Sequence, residues 1–202
     1  MSTATLNMPT PSTSRPAQLP AGQLPAGLDR IVLTGFMGSG KTTAGSLLAD
    51  HLGWRFLDLD HEIERRHSRT VPQIFAESGE AHFRHIESAT LASLLGQHHI
   101  VLALGGGAPE ELGNRLLLEQ TPHTAVIYLA APFATLVDRC TRQAADPAAT
   151  ARPNLADLTT AERRFHLRRT HYDRIASHTL DTSALSADQT PLAILNLLLT
   201  TP

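Results

Sequence analysis

Residues 30–42 read Arg30-Ile-Val-Leu-Thr34-Gly35-Phe-Met-Gly38-Ser-Gly40-Lys41-Thr42. A short apolar run, suited to a buried strand, leads into a glycine-rich turn and then into a helical pattern over Thr42–His51. Gly35 to Thr42 fits G-x-x-x-x-G-K-[ST] in the strand-turn-helix context that its mechanism needs. Glycines let the backbone curl so that its N–H groups converge on phosphate oxygens. The helix that follows adds its positive end. Gly38, Ser39, Gly40, Lys41, Thr42 and Thr43 are therefore expected to bind the phosphates of a nucleoside triphosphate. Lys41 would reach the β- and γ-phosphates, and the Thr42 hydroxyl would hold Mg²⁺. Lys41 is also the only lysine beside sixteen arginines.

Outward from this loop, apolar runs alternate with amphipathic stretches. Strands are expected at Arg30–Thr34, Trp54–Asp58, His99–Leu104, Thr124–Leu129 and His178–Asp181. Helices are expected at Thr42–His51, Asp60–His67, Val71–Glu77, Ala81–Leu95, Pro109–Glu119, Pro132–Arg142, Ala161–Ile175 and Pro191–Leu199. This order implies an α/β fold of three layers, α/β/α, with a five-stranded parallel sheet covered on both faces. The stretch Gln143–Leu158, with Asp146-Pro147 and Arg152-Pro153, breaks the pattern and reads as a mobile loop, a lid over about 143–160. Residues 1–28 hold five prolines and one charged residue, and Gln18–Gly22 repeats as Gln23–Gly27. Such a segment buries too little apolar surface to offset its ordering entropy and is expected to be a disordered tail before a single domain over 29–202.

The 202 residues, 42% of them hydrophobic, suffice for one domain with a sizeable core. A net charge of −2 argues against a dedicated nucleic-acid binder. No apolar run is long enough for a membrane span. A single cysteine, Cys140, gives no sign of an oxidising compartment, so a cytoplasmic location is expected.

Leu57-Asp58-Leu59-Asp60 lies at the end of the second expected strand. Alternation would put both carboxylates on one face at the carboxyl edge of the sheet, where open α/β sheets bind ligands. One could hold a metal's water shell and the other accept a hydroxyl proton. A solvated strand end with Asp60 as a helix N-cap fits equally well. Arg84 and Glu87 stand three apart on a helix whose other face carries Phe83, Ile86 and Thr90; an ordinary surface pair would look the same. Gly105-Gly106-Gly107 follows an apolar strand at the same edge, allowing either close approach of a substrate to the backbone or a plain turn. His82, His85, His98 and His99 have no third ligand at a sensible spacing and read as surface histidines.

Taken in order, G-x-x-G-x-G-K-T, D-x-D, G-E-x-x-F-R-x-x-E, G-G-G and R-P resemble shikimate kinase, a small P-loop kinase of the nucleoside monophosphate kinase type, over Asp29 to about Leu199. The resemblance implies a P-loop NTPase fold with a mobile lid, and transfer of the ATP γ-phosphoryl group to the 3-hydroxyl of shikimate, a step toward chorismate and the aromatic amino acids. It implies ATP and shikimate as small-molecule partners and Mg²⁺ as cofactor; no nucleic-acid or membrane partner and a monomeric state are expected beside it. By the same resemblance Asp60 binds shikimate and takes its proton, Asp58 supports Mg²⁺, Arg84 clamps the shikimate carboxylate and Glu87 orients Arg84. Gly105, Gly106 and Gly107 line the substrate site, Arg152 closes from the lid onto the phosphates, and Arg139 lies beside the adenine.

The match departs from the family toward its end. Where R-x-P-x-Y is usual, the run is Arg168-Arg169-Thr170-His171-Tyr172. Counting back from Tyr172 selects Arg168 as the second carboxylate clamp, with Arg169 the alternative. Arg152-Pro-Asn154-Leu155 lacks the apolar pair common after the proline, and Gln143–Thr150 looks like an insertion. A gluconate-type kinase of the same fold and a non-catalytic ligand sensor are the rival readings. A sensor would usually carry a fused DNA-binding region, for which residues 1–28 are too short and too uncharged.

Overall fold

In the computed structural model, which describes residues 24–144 and 157–200, the alternation within Arg30–Thr34 decides the layering. Strand β1 (Arg30–Thr34) sends Ile31 and Leu33 into one apolar cluster and Val32 into another, as the two-residue repeat of a strand requires. All three are fully buried, so both faces of β1 are covered. Strands β2 (Arg55–Asp58), β3 (Ile100–Ala103), β4 (Thr124–Ala130) and β5 (His178–Asp181) complete a parallel sheet in the order β2-β3-β1-β4-β5. Val32 lies between Leu102 of β3 and Val126 of β4.

Helices α1 (Lys41–Leu52) and α7 (Gln189–Thr200) cover one face, packing Leu48, Ile194 and Leu195 onto Ile31, Leu33 and Ile127. Helices α2 (Leu59–His67), α3 (Val71–Leu95) and α4 (Leu112–Gln120) cover the other, packing Ile63, Leu91 and Leu118 against Val32 and Leu102. A third cluster of Phe36, Tyr128, Leu136, Phe165 and Tyr172 joins α5 (Phe133–Ala144) and α6 (Leu158–Ile175) to β4 and to the turn after β1. The expected three-layer architecture is the one observed. Among the described residues no helix is long and apolar enough to cross a membrane.

Four details differ from expectation, each for a local reason. The helix expected from Pro109 splits into a 3-10 turn, Ala108–Glu110, and α4, because Glu111 between them is extended. Asn114 Nδ2 donates to the Ala108 carbonyl at 2.9 Å, and Arg115 Nη1 donates to the carbonyls of Pro109 and Glu110, each at 2.7 Å, which pins the turn. The helices expected at Val71–Glu77 and Ala81–Leu95 run together as α3, kinked at Gly79, whose φ of 79° and ψ of 171° interrupt the helical path. The expected lid span is helical at both margins, α5 continuing through Ala144 and α6 beginning at Leu158; residues 145–156, with Arg152, lie outside the described residues. Finally, Leu24 and Leu28, expected in the tail, pack against the α1/α7 cluster, and the Asp29 and Arg30 N–H groups both donate to the His123 carbonyl. The packed chain therefore starts before Asp29, while residues 1–23 lie outside the described residues.

Candidate active site

The turn between β1 and α1 carries the phosphate-loop motif. Gly38 and Gly40 have φ values of 77° and 89°, a region in which L side chains are strained. Gly38 also has no room for a side chain, since a Cβ there would stand 2.5 Å from the Leu136 carbonyl oxygen of α5. Lys41 opens α1, and its ammonium turns back over the loop, donating to the carbonyls of Gly35 at 2.8 Å and Phe36 at 3.0 Å. Gly38, Gly40, Lys41, Thr42 and Thr43 line a small recess that Gln143 of α5 also reaches. Ser39 is buried beneath it.

The two acidic residues of D-x-D have different jobs. Strand β2 ends at Asp58, and Asp60 lies in the first turn of α2, so the pair does not share a strand face as alternation had suggested. Asp58, rather than Asp60, is the N-cap: its Oδ1 accepts from the N–H groups of Asp60 at 3.2 Å and His61 at 3.4 Å. Its Oδ2 accepts from the Thr42 hydroxyl at 3.0 Å. The start of α2 is thereby tied to the phosphate loop, and two hard oxygen donors of the kind Mg²⁺ prefers stand side by side. Asp60 is left to face the cavity. Burial, with the Asp58 charge adding to it, pushes its carboxyl up to about 6, against the opposing pull of Lys41 and then Arg84.

Arg84 projects from α3 after the Gly79 kink. It donates to Glu87 at 2.7 Å and to Glu80 at 3.3 Å. Glu87 is only 1% exposed, which excludes the ordinary surface pair and makes this a buried ion pair. Burial pushes the Glu87 carboxyl up to about 7, and Arg84 pulls in the opposite direction. The glycine run explains the fit. A Cβ at Gly105 would come 2.6 Å from Asp60 Oδ1, and one at Gly107 would come 2.7 Å from Arg84 Nη2. Only a bare backbone lets both side chains lie along this turn.

Helix α6 supplies a further cation. The hydroxyl of fully buried Tyr172 donates to the Gly106 carbonyl at 2.6 Å and fastens the helix to the glycine run. Arg168, one turn earlier on the same helical face, is thereby directed into the cavity. Arg169 is 59% exposed, pairs with Asp173 at 3.6 Å and lines a separate groove with Phe133 and His166. Thr170, where the family pattern has proline, keeps α6 unbroken.

One cavity of about 380 Å³ at the carboxyl edge of the sheet gathers Lys41, Thr42, Asp58, Asp60, Arg84, Glu87, Gly105, Gly106, Gly107 and Arg168. Val71, Phe75 and Phe83 contribute apolar wall, and no motif marks Val71 or Phe75. Arg139 of α5 lies away from this cavity, donating to the Thr182 hydroxyl at 3.1 Å and so holding the chain just beyond β5. Sequence reasoning missed Glu110, which accepts from Arg168 Nε and stands 3.7 Å from Arg84 Nη2. The only signal for it was a carboxylate placed shortly after a glycine run.

Comparison with known proteins places the chain in a family. A family model described as shikimate kinase matches residues 37–198. A shikimate kinase of Nitrosomonas europaea is 52% identical over 106 residues, covering 52% of this chain and 49% of that protein, so this match spans about half of the relative. One from Limosilactobacillus fermentum is 37% identical over 171 residues, 84% of this chain and 92% of that protein. The solved structure of a shikimate kinase from Acinetobacter baumannii in complex with shikimate superposes with a TM-score of 0.75 at 36% identity, covering 90% of this chain and 98% of that one. The phosphate loop from Gly38 onward, the acidic pair, Arg84 and Arg168 thus lie within a matched region spanning most of the domain, and the chain belongs to the shikimate kinase family.

Proposed function

We propose that this chain performs the family's reaction with the residues gathered in its cavity: transfer of the ATP γ-phosphoryl group to the 3-hydroxyl of shikimate, giving shikimate 3-phosphate and ADP. The observation that carries the reading is the single cavity in which Lys41, a carboxylate of raised pKa and two arginines meet. The first serves phosphates, the second a hydroxyl proton, and the arginines a carboxylate. An acceptor having both a hydroxyl and a carboxylate suits that set.

In this reading the triphosphate lies on the backbone N–H groups of Gly38 to Thr43, and Lys41 exchanges its carbonyl partners for phosphate oxygens. Thr42, with Asp58 in support, would hold Mg²⁺, which would add charge neutralisation at the phosphates. Arg84, oriented by Glu87, and Arg168 take the shikimate carboxylate in their planar forks. That fixes the ring beside the glycine run with its 3-hydroxyl toward Asp60, which accepts the proton. Most of the acceleration comes from positioning and charge neutralisation. Arg152, outside the described residues, is assigned to the phosphates on lid closure, and Arg139 to the adenine side. A monomer is the proposed state, and the cytoplasm the proposed location.

Two tests bear on the assignments. Arg84→Ala should raise KM for shikimate about ten- to a hundredfold, the worth of one charge-assisted bond, while KM for ATP changes little. An unchanged shikimate KM would leave Arg84 only a structural partner of Glu87. The rate with both substrates limiting should fall on the acid side with an apparent pKa of about 6, because Asp60 must be ionised to accept a proton. An acid limb near the ordinary aspartate value would assign that role elsewhere.

A further inference from the structure

Glu110 makes contacts that the reaction does not need. Its backbone is fixed in the 3-10 turn, its N–H donating to the Gly107 carbonyl at 2.9 Å and its own carbonyl accepting from Arg115 at 2.7 Å. Its side chain, 35% exposed, reaches the two arginines. One carboxylate oxygen accepts from Arg168 Nε, and the other stands 3.7 Å from Arg84 Nη2. Neither arginine depends on Glu110 for its placement. Arg84 is oriented by buried Glu87 at 2.7 Å, and Arg168 is carried on a helix anchored through Tyr172 and Gly106.

We propose that Glu110 is an internal competitor for the acceptor's carboxylate: it joins Arg84 and Arg168 in the free enzyme, must swing away for a carboxylate to bind, and so sets KM for the acceptor. The inference rests on the reading of Arg84 and Arg168 as the carboxylate clamp. The N–H groups that would receive a planar anion already face one of the same kind. The two guanidiniums meet three carboxylates, Glu80, Glu87 and Glu110, so a further anion enters against like charge while Glu110 stays. Because the turn is pinned and the side chain borders solvent, a rotamer change alone clears the site.

The test is steady-state kinetics of the full-length chain with MgATP, using shikimate and its uncharged methyl ester. Glu110→Gln and Glu110→Ala should each lower KM for shikimate about fivefold, the scale of a partly exposed ion pair, with kcat and KM for ATP nearly unchanged. KM for the ester should change less than about twofold, and in an Arg168→Ala background the gain should vanish, since the two residues act on each other. An unchanged or raised shikimate KM in both variants overturns the competitor role while leaving the acceptor reading intact. An equal gain for acid and ester also overturns it, because that is a wider pocket rather than a freed clamp. Absence of wild-type turnover with shikimate overturns both.

Discussion

Asp60→Asn is expected to lower kcat about a hundred- to ten-thousandfold, the usual range for losing a positioned general base, and at the same time to make the protein more stable above pH 6. Asparagine keeps the shape but neither the charge nor the proton acceptor, and ATP affinity should be nearly unchanged. The stability effect follows from the burial that raises the pKa of the carboxyl. Its pKa is near 6 in the folded chain and 3.8 when unperturbed, so the native state holds the proton more tightly. The wild type therefore has this group's full stability below about pH 4 and loses it as pH rises through 6. With allowance for partial solvent exposure the loss is about 2 kcal/mol. The asparagine variant does not ionise and should gain on the wild type as pH rises from 4 to 7.5, reaching a Tm advantage of about 5 °C. Melting curves at those two pH values check the sign. A variant that loses activity without this pH-dependent gain would place the Asp60 carboxyl in a less desolvated setting.

Chemical acylation of Lys41 is expected to abolish activity in proportion to its extent. The chain has one lysine, so mild acylation has two amine targets, Lys41 and the N-terminus. Modification removes the charge proposed to neutralise the β- and γ-phosphates and also breaks the Lys41 bonds to the Gly35 and Phe36 carbonyls. MgATP should protect, because bound phosphates cover the amine. Shikimate alone should protect much less, its proposed contacts being Asp60, Arg84, Arg168 and the glycine run. Peptide mass spectrometry gives the extent at each amine. Full activity after complete Lys41 acylation would remove the lysine from the phosphate site.

The layering and the phosphate loop were legible because they rest on local rules. Alternation of Ile31, Val32 and Leu33 specifies a two-sided strand, and the spacing from Gly35 to Thr42 specifies the loop. Arg168 was reachable by counting back from Tyr172, and the bond from that tyrosine to Gly106 is the physical reason for the spacing. What the sequence left open depended on contacts between distant segments. Whether Arg84 and Glu87 form a surface pair or a buried one depends on the glycine run packing over them, and whether Asp58 or Asp60 caps α2 depends on where β2 ends. Glu110 was invisible for the same reason, since its partners come from α3 and α6.

One cavity is proposed to move a phosphoryl group from ATP to shikimate. The most direct measurement is MgATP turnover with shikimate, quinate, gluconate and nucleoside monophosphates offered separately, following ADP by coupled assay and the product by phosphorus NMR. ADP and shikimate 3-phosphate should form in equal amounts with shikimate, with far slower turnover of the others. Phosphorylation of gluconate or a nucleoside monophosphate in preference to shikimate, or ADP release with no phosphorylated shikimate, would contradict it.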